Sequence, residues 1–263
     1  MVSAVSLAAM FFSLFASLIL PIGLAIYFYR KYHFSLKAFF AGAAVFIITQ
    51  LLIRIPLLAY LSSYSWFRTL MEMNIFFSAV VIGGFTAALF EECGRYLGFR
   101  FILRKELSWE NGLSYGLGHG GIESIILVGF GYINNIVISL MINSGTFEQF
   151  AAPRLGASAS LVKLQLTSLP PSIFLAAGVE RLLTLIIHIA FSLIVLYAVK
   201  QRRPFFLLLA ILLHTALNAG AVYLQNWGVA FWFIELFIAI FAAAALCLVI
   251  KSKKDRNWFF RWR

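Results

Sequence analysis

The chain has 263 residues, of which 62% are hydrophobic and 12% are charged, and its mean hydropathy is +0.93. A soluble globular domain carries about 25% charged residues, so this composition excludes that class and indicates a membrane protein. The apolar runs are continuous over about 20 residues, which excludes the alternating pattern of a membrane β-barrel. The net charge is +11, but the basic residues cluster between apolar segments and in the tail. We therefore expect them to face anionic lipid and not nucleic acid.

Seven apolar segments are long enough to cross a bilayer as helices, because about 20 residues rising about 1.5 Å each span its core. They cover residues 3–29, 37–61, 73–103, 111–142, 172–199, 204–225 and 229–250. No basic stretch precedes the first segment, so we expect a retained helix and not a cleaved signal peptide. We predict an all-α, polytopic transmembrane helix bundle that forms a single integral membrane domain over residues 1–263, with a basic cytoplasmic tail at 251–263.

The segment between the fourth and fifth predicted spans, residues 143–171, differs in composition from the apolar runs. It contains Pro153, Pro170 and Pro171 together with several serines and glycines. We predict an extramembrane loop here. A short interfacial helix around residues 156–168 would add an eighth helical element to the seven spans.

Basic residues are concentrated after every second span. These loops and the tail contain Arg30, Lys31, Lys37, Arg100, Arg104, Lys105, Lys200, Arg202, Arg203, Lys251, Lys253, Lys254, Arg256, Arg261 and Arg263. The alternate loops contain only Arg68, Arg154 and Lys163. Because positively charged loops stay on the cytoplasmic side, we expect an integral protein of a bacterial cytoplasmic membrane. Its N-terminus would lie outside the cell and its C-terminus inside.

Ionisable residues within the apolar segments are the main functional signal, because such groups are costly in a bilayer and usually mark function. They are the adjacent Glu91 and Glu92, and the histidines His119, His188 and His214. Counted along each helix, they lie about 12–21 Å from its predicted cytoplasmic end. Four different spans therefore place polar groups at a similar depth. This predicts that these side chains meet at one site.

The third span carries Glu91, Glu92 and Arg95 in the sequence EECGR. The arginine lies three and four positions after the glutamates, so it can pair with one carboxylate along the helix. The other glutamate, buried beside a like charge, could then serve as a general base. The alternative is a charge network that only holds helices together. We favour the functional reading, because two adjacent buried carboxylates are a poor structural choice.

The fourth span places His119 and Glu123 four positions apart, and therefore on one helix face. Glycines surround the histidine and allow close helix approach or a break in the helix. They are Gly116, Gly118, Gly120 and Gly121. The alternative is a packing seam of small residues with one hydrogen-bonded histidine.

The fifth and sixth spans supply the remaining candidates. Glu180 and His188 lie about 12 Å apart along the helix axis, so they cannot bind the same small ion, and we expect Glu180 to pair with Arg181 or Arg95. His214 and Asn218 share a helix face. A histidine and a carboxamide there could bind a metal or donate hydrogen bonds to an oxyanion, or could simply form an interhelical hydrogen bond. The isolated Arg54 and Glu235 are interpreted as structural.

Two known classes of membrane protease are excluded by residue content. Asp255 is the only aspartate in the chain, so an intramembrane aspartyl protease cannot operate here. The zincin motif H-E-x-x-H is also absent.

The motifs EECGR, GHGGIE, ER…H and HTALN, taken together and in this order, resemble the YhfC family of intramembrane metalloproteases. That family looks like a branch of a clan that contains the CAAX prenyl endopeptidases, the bacteriocin-processing proteins and the PrsW proteases. The resemblance implies that Glu91 activates water with the help of Glu92. It also implies that His119 and His214 are ligands of a metal or water, with Asn218 beside them. His188 would complete a metal site, and Glu123 is a further candidate ligand.

We therefore expect an intramembrane hydrolase that cleaves a peptide bond in the cytoplasmic half of the membrane. Three imidazoles would hold Zn²⁺, and either Asn218 or Arg95 would stabilise the oxyanion. In a metal-free version, Glu91 and His119 would activate the water themselves. The expected substrate is a membrane protein or a lipid-anchored peptide. The rival hypotheses are a proton- or ion-coupled transporter that uses the same buried groups, and a scaffold without catalysis.

Overall fold

The computed structural model describes residues 1–254, and within this range the chain is helical with no strand. Seven helices in this part of the chain are long and apolar enough to cross a membrane, as the sequence predicts, and the protein is an all-α integral membrane protein. We number them span 1 to span 7. Their bounds are Ala4–Tyr32, Leu36–Leu61, Phe76–Ile102, Trp109–Asn143, Pro171–Lys200, Pro204–Asn226 and Phe231–Lys254. The predicted basic tail is helical through Lys254, and its remaining residues, 255–263, lie outside the described part.

The first four spans are not uniform α-helices. Each contains a stretch of wider π-helical turns, a distortion that is common at functional sites. The stretches are Phe15–Ile19, Ile47–Arg54, Phe76–Thr86, Gly98–Ile102 and Ile125–Gly129. The two in span 3 flank the α-helical segment Ala87–Leu97, which carries the predicted glutamate pair.

The chain forms two compact units. The first unit consists of Met1–Gly23 and Glu123–Leu182, and the second consists of Leu24–Ile122 and the chain from Leu183 onwards. The segment between spans 4 and 5 belongs to the first unit. It contains short helices at Phe147–Phe150 and Ala152–Leu155 and a longer helix at Ala159–Ser168. A helix is thus present where one was predicted around 156–168.

The first unit is held together by an apolar cluster and by polar contacts. Its buried apolar residues are Val2, Ala9, Met10, Ile136, Leu166 and Phe174. Within this unit Arg181 forms an ion pair with Glu123 at 3.2 Å and a second ion pair with Glu180. The expected pairing of Glu180 with Arg181 is therefore confirmed. Pairing stabilises an arginine that is only 9% exposed.

Glycines in the second unit bring helices into close contact. A Cβ atom on Gly118 would lie 1.9 Å from the carbonyl oxygen of Phe39, and one on Gly116 would lie 2.5 Å from Cα of Ile189. Real Cβ atoms do not approach other atoms so closely, so these positions require glycine. The predicted role of the span 4 glycines in close packing is confirmed. This packing determines how His119 is presented to spans 2, 3 and 5.

The loop between spans 3 and 4 is anchored to the start of span 2. Lys37 forms an ion pair with Glu106 at 3.2 Å, and Asn111 accepts a hydrogen bond from the backbone N–H of Ser35 at 2.8 Å. A hydrogen bond from the Ser35 side chain, together with the Lys37 charge, holds the pKa of Glu106 below its usual value. These contacts favour the ionised carboxylate and connect the loop to the start of span 2.

Candidate active site

The centre of the site is the carboxylate of Glu91, which span 3 places in the interior of the second unit. Its Oε2 atom lies 3.0 Å from Nε2 of His119 on span 4 and 3.9 Å from Nε2 of His214 on span 6. Glu91 is 5% exposed and both histidines are buried. One carboxylate oxygen therefore faces imidazoles from two other spans in an interior shielded from solvent.

Glu92, the neighbour of Glu91, supports the site from the other side. Its Oε1 atom lies 2.8 Å from Nδ1 of His214, and its Oε2 atom lies 3.1 Å from Nε of Arg95. The prediction that Arg95 pairs with one of the glutamates is confirmed. When Nδ1–H of His214 donates this hydrogen bond to Glu92, the lone pair of the neutral ring is on Nε2, the nitrogen that faces Glu91. This carboxylate–histidine arrangement is the one that orients imidazole ligands in metal sites.

Arg95 also connects the glutamate pair to span 5. Its Nη1 atom donates to the backbone oxygen of His188 at 2.8 Å and to Oγ of Ser192 at 2.5 Å. Its Nη2 atom lies 3.3 Å from Nδ1 of His188. Because arginine only donates hydrogen bonds, Nδ1 is the acceptor in this contact and the neutral His188 ring carries its proton on Nε2. To bind a metal through Nε2, His188 would have to release this contact.

The three imidazoles lie close together. The ring centroids of His119 and His188 are 5.1 Å apart, and those of His188 and His214 are 5.7 Å apart. Phe191 stacks on His214 with a centroid distance of 5.0 Å. The predicted meeting of polar groups from spans 3, 4, 5 and 6 is therefore confirmed within this unit. The aromatic contact excludes water from one face of the His214 ring.

The donor atoms are arranged so that they can hold a metal ion. One ligand atom each from Glu91, His119 and His188 lies within 4.8 Å of the others, and the same is true of Glu91, Glu92 and His214. Oε2 of Glu91, at 3.0 Å and 3.9 Å from the Nε2 atoms of His119 and His214, lies beside two imidazole donors, where a carboxylate can serve as a ligand or accept a proton from water. Buried Nδ1 of His119 has no hydrogen-bond partner among residues 1–254, so these residues do not fix which nitrogen of the ring carries the proton.

The two remaining predicted site residues are Asn218 and Glu123. Asn218 is half-buried on span 6, one turn beyond His214. Its carboxamide makes no hydrogen bond to the described residues. Glu123 follows His119 by one turn and belongs to the first unit, where Arg181 is its ion-pair partner.

The chain is similar in sequence to known membrane proteins. A family model described as the YhfC intramembrane metalloprotease matches residues 16–239, which is most of the chain and includes every predicted site residue. The chain belongs to the YhfC family. A relative in this family is a protein of Bacillus subtilis (strain 168) described as an uncharacterized membrane protein YhfC. It is 38% identical over 239 residues, which cover 90% of this chain and 92% of the relative. No solved structure shows a significant match.

In this YhfC family member, the structure adds two residues that the sequence did not single out. Gln50, on span 2, donates a hydrogen bond from Nε2 to Oε1 of Glu91 at 2.7 Å. Ser192, on span 5, accepts the short hydrogen bond from Arg95 described above. The sequence signal for Gln50 is its position one helical turn before Arg54 in an otherwise apolar stretch.

Proposed function

We propose that this protein is a metal-dependent intramembrane peptidase, which hydrolyses a peptide bond of a membrane-embedded or lipid-anchored substrate in the cytoplasmic half of the bilayer. One observation carries the proposal. A buried carboxylate oxygen, Oε2 of Glu91, lies within 4 Å of Nε2 atoms on two histidines from different spans. A general base beside imidazole ligands is the constellation that metal-assisted hydrolysis requires. Membership of a family described as intramembrane metalloproteases supports it.

The ion that we propose is Zn²⁺, since imidazole and carboxylate are ligands that it binds well. Nε2 of His119 and Nε2 of His214 are the donor atoms that would hold it, and His188 is the third imidazole beside them. When bound, such an ion would act as a Lewis acid and acidify a coordinated water molecule.

The side chains of this chain have separate tasks in the proposed reaction. Glu91 takes the proton of the attacking water on Oε2, the oxygen that faces the imidazoles. Glu92 fixes the tautomer of His214 through Nδ1, and Arg95 holds Glu92 and the backbone of His188 in place. Because four of the five N–H donors of Arg95 are directed at Glu92, His188 and Ser192, we assign stabilisation of the oxyanion to the carboxamide of Asn218.

The proposal is tested by mapping protein termini across the membrane fraction, an approach that does not require the substrate to be identified first. A Bacillus subtilis strain that lacks its own YhfC protein is complemented with this chain, with Glu91→Gln or with His33→Ala. Peptide termini in the membrane fraction are then compared by mass spectrometry. We expect new termini within or beside transmembrane segments with the wild type and with His33→Ala, whose histidine lies in a loop between spans 1 and 2. The same termini should be missing with Glu91→Gln. An unchanged set in all three strains would contradict the proposal.

A further inference from the structure

Arg54 and Gln50 lie one helical turn apart on span 2 and have no part in the reaction described above. The guanidinium of Arg54 makes three hydrogen bonds. Nη1 donates to Oε1 of Gln50 at 3.1 Å, Nε donates to Oγ1 of Thr86 at 3.0 Å, and Nη2 donates to the backbone oxygen of Ile82 at 2.7 Å. Two of its three partners belong to the π-helical stretch of span 3 that precedes the glutamate pair. Arg54 is therefore fixed to span 3 as well as to Gln50.

The contact with Arg54 determines which way the Gln50 amide points. Arginine has donors and no acceptor, so the group of Gln50 that faces it must be the carbonyl oxygen. The NH₂ group then faces the other way, where it lies 2.7 Å from Oε1 of Glu91 and 3.3 Å from the backbone oxygen of Ala87. Without the arginine, the amide could turn over and present its oxygen to the carboxylate.

This orientation makes the two oxygens of Glu91 different. Oε1 accepts the hydrogen bond from Gln50, whereas Oε2 faces Nε2 of His119 and of His214. We propose that Gln50 and Arg54 are positioning residues, which orient the Glu91 carboxylate and leave Oε2 as its reacting oxygen. Arg54 acts through Gln50, since its own hydrogen bonds go to Gln50 and to span 3 backbone and hydroxyl oxygens. This inference rests on the proposed function, in which Glu91 takes a proton from water.

A purely structural role for the same residues predicts different behaviour. A buried arginine in a membrane span needs hydrogen-bond partners whatever its function, and loss of those partners would lower stability alone. If Arg54 instead acts through Gln50, losing both side chains should cost no more catalysis than losing Gln50 alone. Such non-additivity is expected for residues in one hydrogen-bonded chain.

The experiment uses the purified full-length protein and a labelled peptide that carries the cleaved segment found by terminus mapping. The variants are Gln50→Met, Arg54→Met, the double variant and Arg54→Lys. The matched control is Thr49→Val, next to Gln50 on span 2. Among residues 1–254, the Thr49 hydroxyl donates a hydrogen bond only to the backbone oxygen of Val45 in its own helix. We expect Gln50→Met to lower kcat about 10- to 100-fold, the range for a lost hydrogen bond to a charged group. KM should stay within about twofold of wild type.

The kcat of the double variant should equal that of Gln50→Met. Arg54→Lys should recover part of the rate lost in Arg54→Met. Thr49→Val should have the kcat of the wild type. The positioning role is overturned, with the proposed function intact, if the wild type cleaves and Gln50→Met is as fast. It is also overturned if the fold-decrease in kcat of the double variant equals the product of the decreases in the two single variants.

A measurement that needs no substrate separates failure of the positioning role from failure of the proposed function. Infrared bands of the Glu91 carboxyl group are identified as those that disappear in Glu91→Gln. They should shift in Gln50→Met and in Arg54→Met, and stay in place in Thr49→Val. Bands that do not move overturn the positioning role whether or not cleavage is found. Absence of Glu91-dependent cleavage together with shifted bands would count against the proposed function alone.

Discussion

Oε2 of Glu91 lies 3.0 Å from Nε2 of His119, although 28 positions and a change of span separate the two residues. The same oxygen lies 3.9 Å from Nε2 of His214 on span 6. Ionisable groups that are costly in a bilayer are thus concentrated around one point, where each stabilises the others. The proposed hydrolysis depends on this arrangement.

Glu91→Gln should separate the role of base from that of ligand. The substitution keeps the size of the side chain but removes its capacity to take a proton. We expect cleavage to fall by about 10²- to 10⁴-fold, the range for loss of a general base. Metal content should stay at the wild-type level, measured by elemental analysis of the purified protein. Loss of the metal in this variant would show that Glu91 is a ligand.

Arg95→Met should destabilise the protein strongly. Arg95 and Glu92 are both fully buried and joined at 3.1 Å, so the substitution leaves a buried carboxylate without its charged partner. Breaking such a pair costs about 3–5 kcal/mol. We expect a large drop in the unfolding midpoint in detergent. Lys37→Met is the matched control, because its pair with Glu106 is exposed and should contribute about 0–1 kcal/mol. Equal midpoints for the two variants would contradict the described packing.

Gly118→Ala should disturb the packing of span 4 against span 2. A Cβ atom there would lie 1.9 Å from the backbone oxygen of Phe39, so the helices must move apart. Overpacking of this kind costs about 1–3 kcal/mol or more, and it should lower the unfolding midpoint and the cleavage rate together. Gly131→Ala on the same span is the control, since nothing lies within 4 Å of its Cβ position. A midpoint in Gly118→Ala equal to that of this control would disprove the close approach.

Asn218→Ala tests the proposed oxyanion donor. Loss of one such donor lowers kcat by about 10²- to 10³-fold, and here it should leave KM and metal content unchanged. Asn226→Ala, at the exposed end of the same helix, is the control and should be fully active. An Asn218→Ala variant with the wild-type kcat would show that another group stabilises the oxyanion.

The number of spans and the candidate site residues follow from the sequence alone, because continuous apolar runs and charges within them are one-dimensional signals. The ion pairs Glu92–Arg95 and Glu180–Arg181 could also be predicted from the sequence, since the short spacing along one helix limits the partners of each residue. The resemblance to the family rested on four motifs in order, and the family match confirms it.

The contacts across helices could not be derived in this way, because they depend on how each helix is rotated and packed. Glycine contacts such as that of Gly118 with Phe39 determine this rotation, and nothing in the spacing of the motifs states it. Gln50 was missed because a single uncharged polar residue is a weak signal in a membrane span. Arg54 is interpreted as structural from the sequence because it is isolated there, and its connection to Glu91 through Gln50 depends on how spans 2 and 3 pack. The sequence also does not show which ring nitrogen of each histidine makes which contact.

Metal content is the most direct test of the central claim, that imidazoles from separate spans hold a catalytic ion beside Glu91. Elemental analysis should find about one zinc ion per chain in the purified wild type, and a small fraction of this in His119→Ala and in His214→Ala. Both variants should also fail to cleave. A chelator-treated wild-type preparation that contains no metal and still cleaves at the full rate would contradict the claim.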